Sequence, residues 1–284
     1  MPAVTIAISI QTSTAVVFAA DSRLTTYGRA GFDTNGEPIV VPQTYENATK
    51  VVRDQSNTAM VVVTGSASLG RISFMDYIAS SVVPGHSDAE KHDEAIRGFA
   101  EGMAKMRNAY WADVQVERWP DTVLMLAAVS PSSSEPVVWR IAYRGQDTTV
   151  GRINNPVYFE GSYRNVFTLL YGYDFRLVTS LADELKVGDQ PVGIEALRQA
   201  LGQLKILKPI DQLSVGVMPI QDAMDFAYFL ASTQVQMERF LPGEPYCGGP
   251  IDLMVLKTAP IQEILWHPGK LLHHPGGRRL ADRG

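Results

Sequence analysis

The first 23 residues constrain the fold most, because they contain two apolar segments separated by a short polar turn. Between residues 6 and 10 isoleucine alternates with small residues, which is the period of a β-strand with one buried face. Residues 16–20 are continuously apolar, as expected of a strand covered on both faces. Asp21 and Arg23 follow directly. Taken alone, this pattern favours a strand that ends in a solvated ion pair.

Composition excludes several classes of function. A net charge of −5 gives no reason to expect nucleic acid or an anionic membrane as partner. The longest apolar runs are too short to span a bilayer, and the N-terminus lacks the basic segment of a signal peptide. A single cysteine, Cys247, cannot form an intrachain disulfide, so we expect a reducing cytoplasm.

The apolar periodicity predicts strands first, then two helices, then further strands, further helices and two final strands. The predicted strands after the first two are residues 50–53, 59–64, 122–129, 136–144, 148–153, 251–257 and 261–266. The predicted helices are residues 66–83, 88–110, 166–174, 194–207 and 222–240. Residues 24–47 are predicted to form a long hairpin or loop. This order indicates an α+β fold, and we expect a four-layer αββα sandwich with two antiparallel sheets between helix pairs. We also expect a single domain over residues 5–272 and a disordered tail over residues 273–284.

Four short motifs occur in an order that resembles one known family. They are the Thr5-headed stretch that ends in Ala-Ala-Asp21-x-Arg23, Lys50-Val51, an apolar strand that leads into Gly65-Ser66, and Cys247-Gly-Gly near the end. Together they resemble the proteasome β-subunit family of N-terminal nucleophile (Ntn) hydrolases. The spacing from Thr5 to Asp21 and Arg23 matches that family without a gap. The resemblance covers residues 5–83 and 240–266 and implies the same αββα sandwich.

The resemblance implies a mechanism centred on Thr5. In the family the nucleophile is the first residue of the mature chain, so residues 1–4 would be a propeptide and the freed α-amine of Thr5 would be the base. By position, Lys50 would lie beside the Thr5 hydroxyl, Asp21 would hold the Lys50 ammonium, and Arg23 would brace Asp21.

Further site positions follow from the same resemblance. The Gly65 N–H, at a predicted helix start, would stabilise the oxyanion. Glu244 and Cys247 replace the Asp and Ser of the family's late Asp-x-x-Ser-Gly-Gly motif, and Ser162 corresponds to a helper serine. Val4 stands where the family has glycine before its threonine. The implied partners are a peptide or amide substrate, other copies in a homo-oligomeric ring, and an ATP-dependent unfoldase; no cofactor is implied.

Each of these residues also has a structural explanation. Lys50 could protect a strand edge, Gly65 could serve a turn, and Asp21 with Arg23 could form a salt bridge in the sheet. Cys247 could be proposed as a thiol nucleophile, but a small core residue is favoured. Other weak signals, judged insufficient for metal or phosphate binding, are His267, His273, His274, Gly28 and Gly31.

Two functions from different classes follow. The first is a threonine-dependent peptide or amide hydrolase, and the second is a non-catalytic ring-forming structural subunit. The joint presence of Asp21, Arg23 and Lys50 favours the first, because a purely structural sandwich needs no such set. The residues preceding Thr5 favour the second, because an acylated Thr5 has no free amine. The sequence analysis predicts the hydrolase.

Overall fold

A computed structural model describes residues 5–32, 34–35, 37–66, 68–69, 72–83, 89–129, 136–187, 190–203, 209–258 and 262–267. The chain divides into two compact units, residues 1–162 with 215–284, and residues 163–214. The single domain over residues 5–272 stays a prediction, and the tail over residues 273–284 lies outside the described residues.

Within those ranges there are sixteen strands and six α-helices. The strands are β1 (Ile6–Gln11), β2 (Ala15–Asp21), β3 (Leu24–Phe32), β4 (Pro38–Tyr45), β5 (Val51–Arg53), β6 (Ala59–Gly65), β7 (Ser68–Leu69), β8 (Ile72–Ser73), β9 (Thr122–Val129), β10 (Pro136–Arg144), β11 (Asp147–Ile153), β12 (Val157–Gly161), β13 (Lys186–Val187), β14 (Gln190–Pro191), β15 (Ile251–Lys257) and β16 (Glu263–His267). The helices are α1 (Phe74–Ser80), α2 (Ala89–Tyr110), α3 (Arg164–Tyr171), α4 (Phe175–Glu184), α5 (Ile194–Gln203) and α6 (Ile220–Glu238).

Two antiparallel sheets dominate the described part of the first unit. Their strand orders are β12-β1-β2-β15-β16 and β11-β10-β9-β6-β5. In the first sheet Ile6 pairs with Gly161, and Asp21 pairs with Ile251. This register brings the start of β1, the ends of β2 and β12, and the start of β15 to one end of the sheet.

The apolar core between the two sheets comes from alternate residues on their facing sides. Ala7, Phe18 and Met254 of the first sheet form one buried cluster with Val62 and Met125 of the second. The side chains at these positions follow the two-residue period of a strand. Removing apolar side chains from water stabilises a fold by roughly 25 cal/mol for each Å² of apolar surface buried.

Helices cover the remaining faces of the two sheets. Leu124 and Leu126 of the second sheet pack in a cluster with Phe74 and Ile78 of α1 and with Ile96 of α2. Helix α6 contacts β1, β2 and β15 of the first sheet, and its inward side chains, such as those of Ala227 and Leu230, are fully buried.

The predicted α+β class is confirmed, and the hairpin predicted over residues 24–47 is formed by β3 and β4. The helix predicted over residues 66–83 is wrong in its first half. There β7 pairs with β8, and the helix begins only at Phe74, where the Ser73 hydroxyl accepts a hydrogen bond from the Met75 N–H at 3.1 Å. Strand β12 and helix α4 had no counterpart in the sequence analysis.

No helix in the described ranges is long and apolar enough to cross a membrane. The cytoplasmic location stays a prediction.

Candidate functional site

Thr5 lies immediately before β1, and its backbone is held from both sides. Its carbonyl oxygen accepts a hydrogen bond from the Ser162 N–H at 2.7 Å. The next N–H along the chain, that of Ile6, donates to Oδ1 of Asp21 at 3.0 Å. Thr5 is only 2% exposed. The fold therefore fixes Thr5 at the end of the first sheet, among buried polar groups.

Gly161 makes this position possible. Its φ of +87° is in the left-handed region, and a side chain there would overlap the Thr5 carbonyl oxygen and approach the Thr64 side chain. The sequence analysis assigned no role to Gly161, because the close approach arises from the pairing of β12 with β1. The need for glycine at position 161 could have been predicted only if β12 had been predicted as a strand.

Asp21 and Lys50 form a buried ion pair beside Thr5. The Lys50 Nζ donates to Asp21 Oδ1 at 2.9 Å, and both side chains are at most 4% exposed. Oδ2 of Asp21 accepts from the Gly248 N–H at 3.0 Å and from the Arg23 N–H at 3.2 Å. Burial raises the pKa of Asp21 above its usual value, while the Lys50 ammonium and the backbone donors oppose that shift. One carboxylate thus connects Lys50 to the chain segment that carries Thr5.

Arg23 takes part in a different way from the one expected. Its guanidinium donates to Glu46 at 2.6 and 2.9 Å and to the Pro245 carbonyl at 3.2 Å. A side chain at position 248 would overlap this guanidinium and displace it from Glu46. Arg23 therefore supports Asp21 through its backbone N–H, and its side chain fastens the segment before β15.

Gly65 ends strand β6 and does not start a helix. Its φ is +81°, and a side chain at this position would overlap the Asp121 carbonyl oxygen. The expectation that its N–H lies at a helix N-terminus is wrong, because α1 begins nine residues later. Its neighbour Thr64 has its Cβ 3.7 Å from the place where a Cβ of Gly161 would be.

A second carboxylate, Glu238 of α6, organises the other side of the site. Ser162 Oγ donates to Glu238 Oε1, and Gln234 Nε2 donates to the same oxygen at 2.9 Å. The other oxygen, Oε2, accepts from the Cys247 N–H at 3.0 Å and from the N–H of Tyr246. Glu238 is 5% exposed. It provides the charge that the sequence analysis expected from Glu244.

Glu244 itself is exposed and outside this cluster. The signal for Glu238 was available in the sequence, because Gln234 and Glu238 interrupt the buried face of α6 one turn apart. Polar residues on a buried helix face need partners, and here they find Ser162 and the segment before β15.

Cys247 is fully buried next to these groups. Burial and the neighbouring Asp21 and Glu238 raise the pKa of its thiol well above the usual value. The thiolate is the nucleophilic form of cysteine, so this environment disfavours Cys247 as a nucleophile.

The described residues contain no group of side chains that could hold a metal ion. His267 is exposed at the end of β16, whereas His273 and His274 lie outside the described residues. Gly28 and Gly31 lie in β3.

Comparison with known proteins gives little further guidance. No protein-family model matches the chain, and no curated protein matches it. Among solved structures it is similar to Anbu (ancestral beta-subunit) from Yersinia bercovieri, at 11% identity over 95% of this chain and 89% of that chain, with a TM-score of 0.43. Anbu from Hyphomicrobium sp. strain MC1 matches at 11% identity over 93% and 88%, with a TM-score of 0.42. Likenesses this weak support no conclusion about function.

These findings correct the family assignment made from sequence motifs. No matching family model and no matching curated relative supports membership of the proteasome β-subunit and Ntn hydrolase family. The homo-oligomeric ring and the ATP-dependent unfoldase followed from that resemblance alone, and they stay predictions.

Proposed function

We propose that this protein hydrolyses peptide or amide bonds with Thr5 as nucleophile, once residues 1–4 have been removed. The observation that carries this proposal is the single carboxylate of Asp21, which binds both the Lys50 ammonium at 2.9 Å and the Ile6 N–H at 3.0 Å. This carboxylate links a buried ammonium to the residue that follows Thr5, and we propose that the ammonium activates the Thr5 hydroxyl.

The chemistry follows from the groups present. The Thr5 hydroxyl would attack the carbonyl carbon of the substrate amide, and the freed α-amine of Thr5 would take the proton from that hydroxyl. The amine would then protonate the leaving nitrogen, which leaves an ester on Thr5. Water would hydrolyse the ester, release the acid product and restore the hydroxyl. Lys50 would favour the deprotonated hydroxyl, because a nearby positive charge lowers the pKa of an acidic group.

The same hydroxyl would remove residues 1–4. Attack of Thr5 on the carbonyl carbon of Val4 converts the peptide bond to an ester, and water cleaves that ester. The products are a short peptide with a carboxylate and a chain that begins with a free Thr5 amine. Self-processing is thus a readout that needs no knowledge of the substrate.

Ser162 and Glu238 have a supporting role in this proposal. The Ser162 N–H fixes the Thr5 carbonyl at 2.7 Å, and Glu238 holds the Ser162 hydroxyl and the N–H groups of residues 246 and 247. We keep the Gly65 N–H as the proposed oxyanion donor, from the end of β6 and not from a helix start. One such donor contributes about 3–4 kcal/mol of transition-state stabilisation in enzymes that use it.

We also propose the four-layer αββα arrangement for the first unit. The proposal is supported by the apolar cluster shared by the two large sheets, by the packing of α1 and α2 on the second sheet, and by the contacts of α6 with the first.

Intact-mass measurement of purified wild type, Thr5→Ala and Thr5→Ser tests the proposal. We expect wild type and Thr5→Ser to lose residues 1–4, because both have a hydroxyl, and Thr5→Ala to retain residues 2–4. Loss of Met1 alone is not counted. Retention of residues 2–4 by wild type, or their loss from Thr5→Ala, would overturn the proposal. The first outcome would favour the alternative, a non-catalytic structural subunit.

A further inference from the structure

A groove of about 430 Å³ lies on the first unit along strand β11. Its volume is in the range of ligand sites, about 300–1,000 Å³. Arg140 and Tyr158 line it together with Gly151, Asn154 and Asn155. None of these residues takes part in the proposed hydrolysis.

Arg140 is anchored so that part of its guanidinium remains for a ligand. Its Nε donates to Glu160 Oε1 at 2.5 Å, and the Tyr158 hydroxyl donates to the same oxygen. A guanidinium has five N–H groups, and the bond to Glu160 uses the one on Nε. The anchor fixes the orientation of the remaining donors, and fixed N–H pairs are well suited to a carboxylate.

Strand β11 offers backbone groups along the same groove. It is an edge strand of the second sheet, so the outer N–H and C=O groups of alternate residues have no strand partner in the described part of the chain. Such an edge can pair with an extended peptide through backbone hydrogen bonds.

Gly151 leaves space in the middle of this edge. It is exposed, it lies opposite Arg140 in the register of β10 and β11, and nothing is within 4 Å of the place where its Cβ would be. The register of β11 is continuous there, so no bulge explains the glycine. Glycine inside a strand often marks the close approach of a ligand or another backbone.

We propose that the groove binds an extended peptide segment that lies along β11, with a carboxylate of the peptide on Arg140. Because Arg140 is paired with Glu160 and Arg152 with Asp93 at 2.9 Å, the groove has no large net charge. Recognition then depends on directed hydrogen bonds more than on long-range attraction. Binding should accordingly depend only weakly on salt.

Fluorescence polarisation with a labelled peptide tests this inference. The probe is a five-residue peptide of alternating valine and threonine with a free C-terminal carboxylate, compared with the same peptide amidated. We expect the amide to bind about tenfold or more weakly, since charge-assisted bonds to arginine are lost. Wild type and Thr5→Ala should behave alike, so that the result does not depend on hydrolysis.

Three variants separate the groove from general effects. Arg140→Gln should reduce the affinity for the acid to that for the amide. Gly151→Val should weaken both peptides about tenfold or more by filling the groove, and it suits a strand conformation. Arg144→Gln removes the same charge from an exposed position of the same strand and should leave affinity unchanged.

Circular dichroism checks that each variant is folded. Equal binding of acid and amide, or unchanged binding by folded Gly151→Val, would overturn the proposal. A change in the sedimentation of free protein caused by Gly151→Val would also overturn it, because the edge would then pair two copies of this chain.

Discussion

Two buried aspartates of the first unit, Asp21 and Asp54, show how differently this fold uses a carboxylate. Asp21 is fully buried and Asp54 is 2% exposed, and both accept several hydrogen bonds. The donors to Asp54 include the N–H groups of Thr58, Ala59 and Val83 at 2.8, 2.9 and 3.2 Å, with hydroxyl donors from the same turn. None of these donors is charged.

Asp21 instead accepts hydrogen bonds from donors that lie far away from it in sequence. Its partners are 15 residues away at Ile6, 29 at Lys50 and 227 at Gly248, and one of them is an ammonium. Asp54 closes the turn between β5 and β6, whereas Asp21 joins the starts of β1, β5 and β15. A buried carboxylate that binds a buried cation and donors far apart in sequence is a candidate for a functional site, whereas Asp54 serves a turn.

The largest effect that separates the two aspartates is expected for Lys50→Met. Removing one partner leaves the Asp21 charge buried and unpaired, which costs about 3–5 kcal/mol of unfolding free energy. It also removes the cation proposed to activate Thr5, so self-processing should slow by about 10²-fold or more. Denaturant unfolding and a time course of intact mass measure the two effects.

The double variant Asp21→Asn/Lys50→Met is the control for that loss of stability. Replacing a buried ion pair by uncharged groups is often neutral, so the double variant should recover most of the unfolding free energy. Self-processing should not recover. Recovery of self-processing together with stability would mean that the pair is structural, like Asp54.

An effect on stability alone, with no effect on self-processing, is expected for Asp54→Ala. The substitution leaves the N–H groups of residues 58, 59 and 83 without an acceptor, at about 1–3 kcal/mol for a buried group that loses its partner. Because Asp54 has no part in the proposed chemistry, folded protein should process at the wild-type rate. A tenfold slower rate in folded Asp54→Ala would show that the two regions are coupled.

Sequence reasoning singled out Asp21 from a local pattern, because it ends an apolar strand. Lys50 was added only by the family resemblance, and the structure pairs the two residues. Gly161 and Glu238 were not assigned, since their roles arise from contacts with Thr5 and Ser162 that only the folded chain creates. These residues were missed because their respective partners, Thr5 and Ser162, lie far from them in sequence.

The predictions of secondary structure show the same contrast between local patterns and contacts made only on folding. Strands with apolar runs, such as β9 and β10, were predicted at their observed bounds. The helix predicted from residue 66 failed because Leu69 and Ile72 fit helical spacing yet pair with each other between β7 and β8. Periodicity alone does not distinguish a tight strand pair from a helical turn of similar composition.

The smallest expected difference between the two aspartates concerns pH. Burial raises the pKa of Asp21 from 3.8, so between that pH and its folded-state pKa the native state holds a proton that the unfolded chain has lost. Stability falls with pH wherever the unfolded state binds fewer protons. The contribution of Asp21 is therefore complete below pH 3.8 and is lost as the pH rises through the raised value.

Comparing wild type with Asp21→Asn/Lys50→Met isolates this contribution from acidic to neutral pH, because all other carboxyl and histidine groups are common to both proteins. We expect the difference in unfolding free energy, wild type minus variant, to decrease from acidic to neutral pH in urea titrations. An increase over the same range would mean that Lys50 and the three backbone donors outweigh burial. Asp21 would then be ionised throughout, and its pairing with Lys50 would stabilise the fold as well as serve the site.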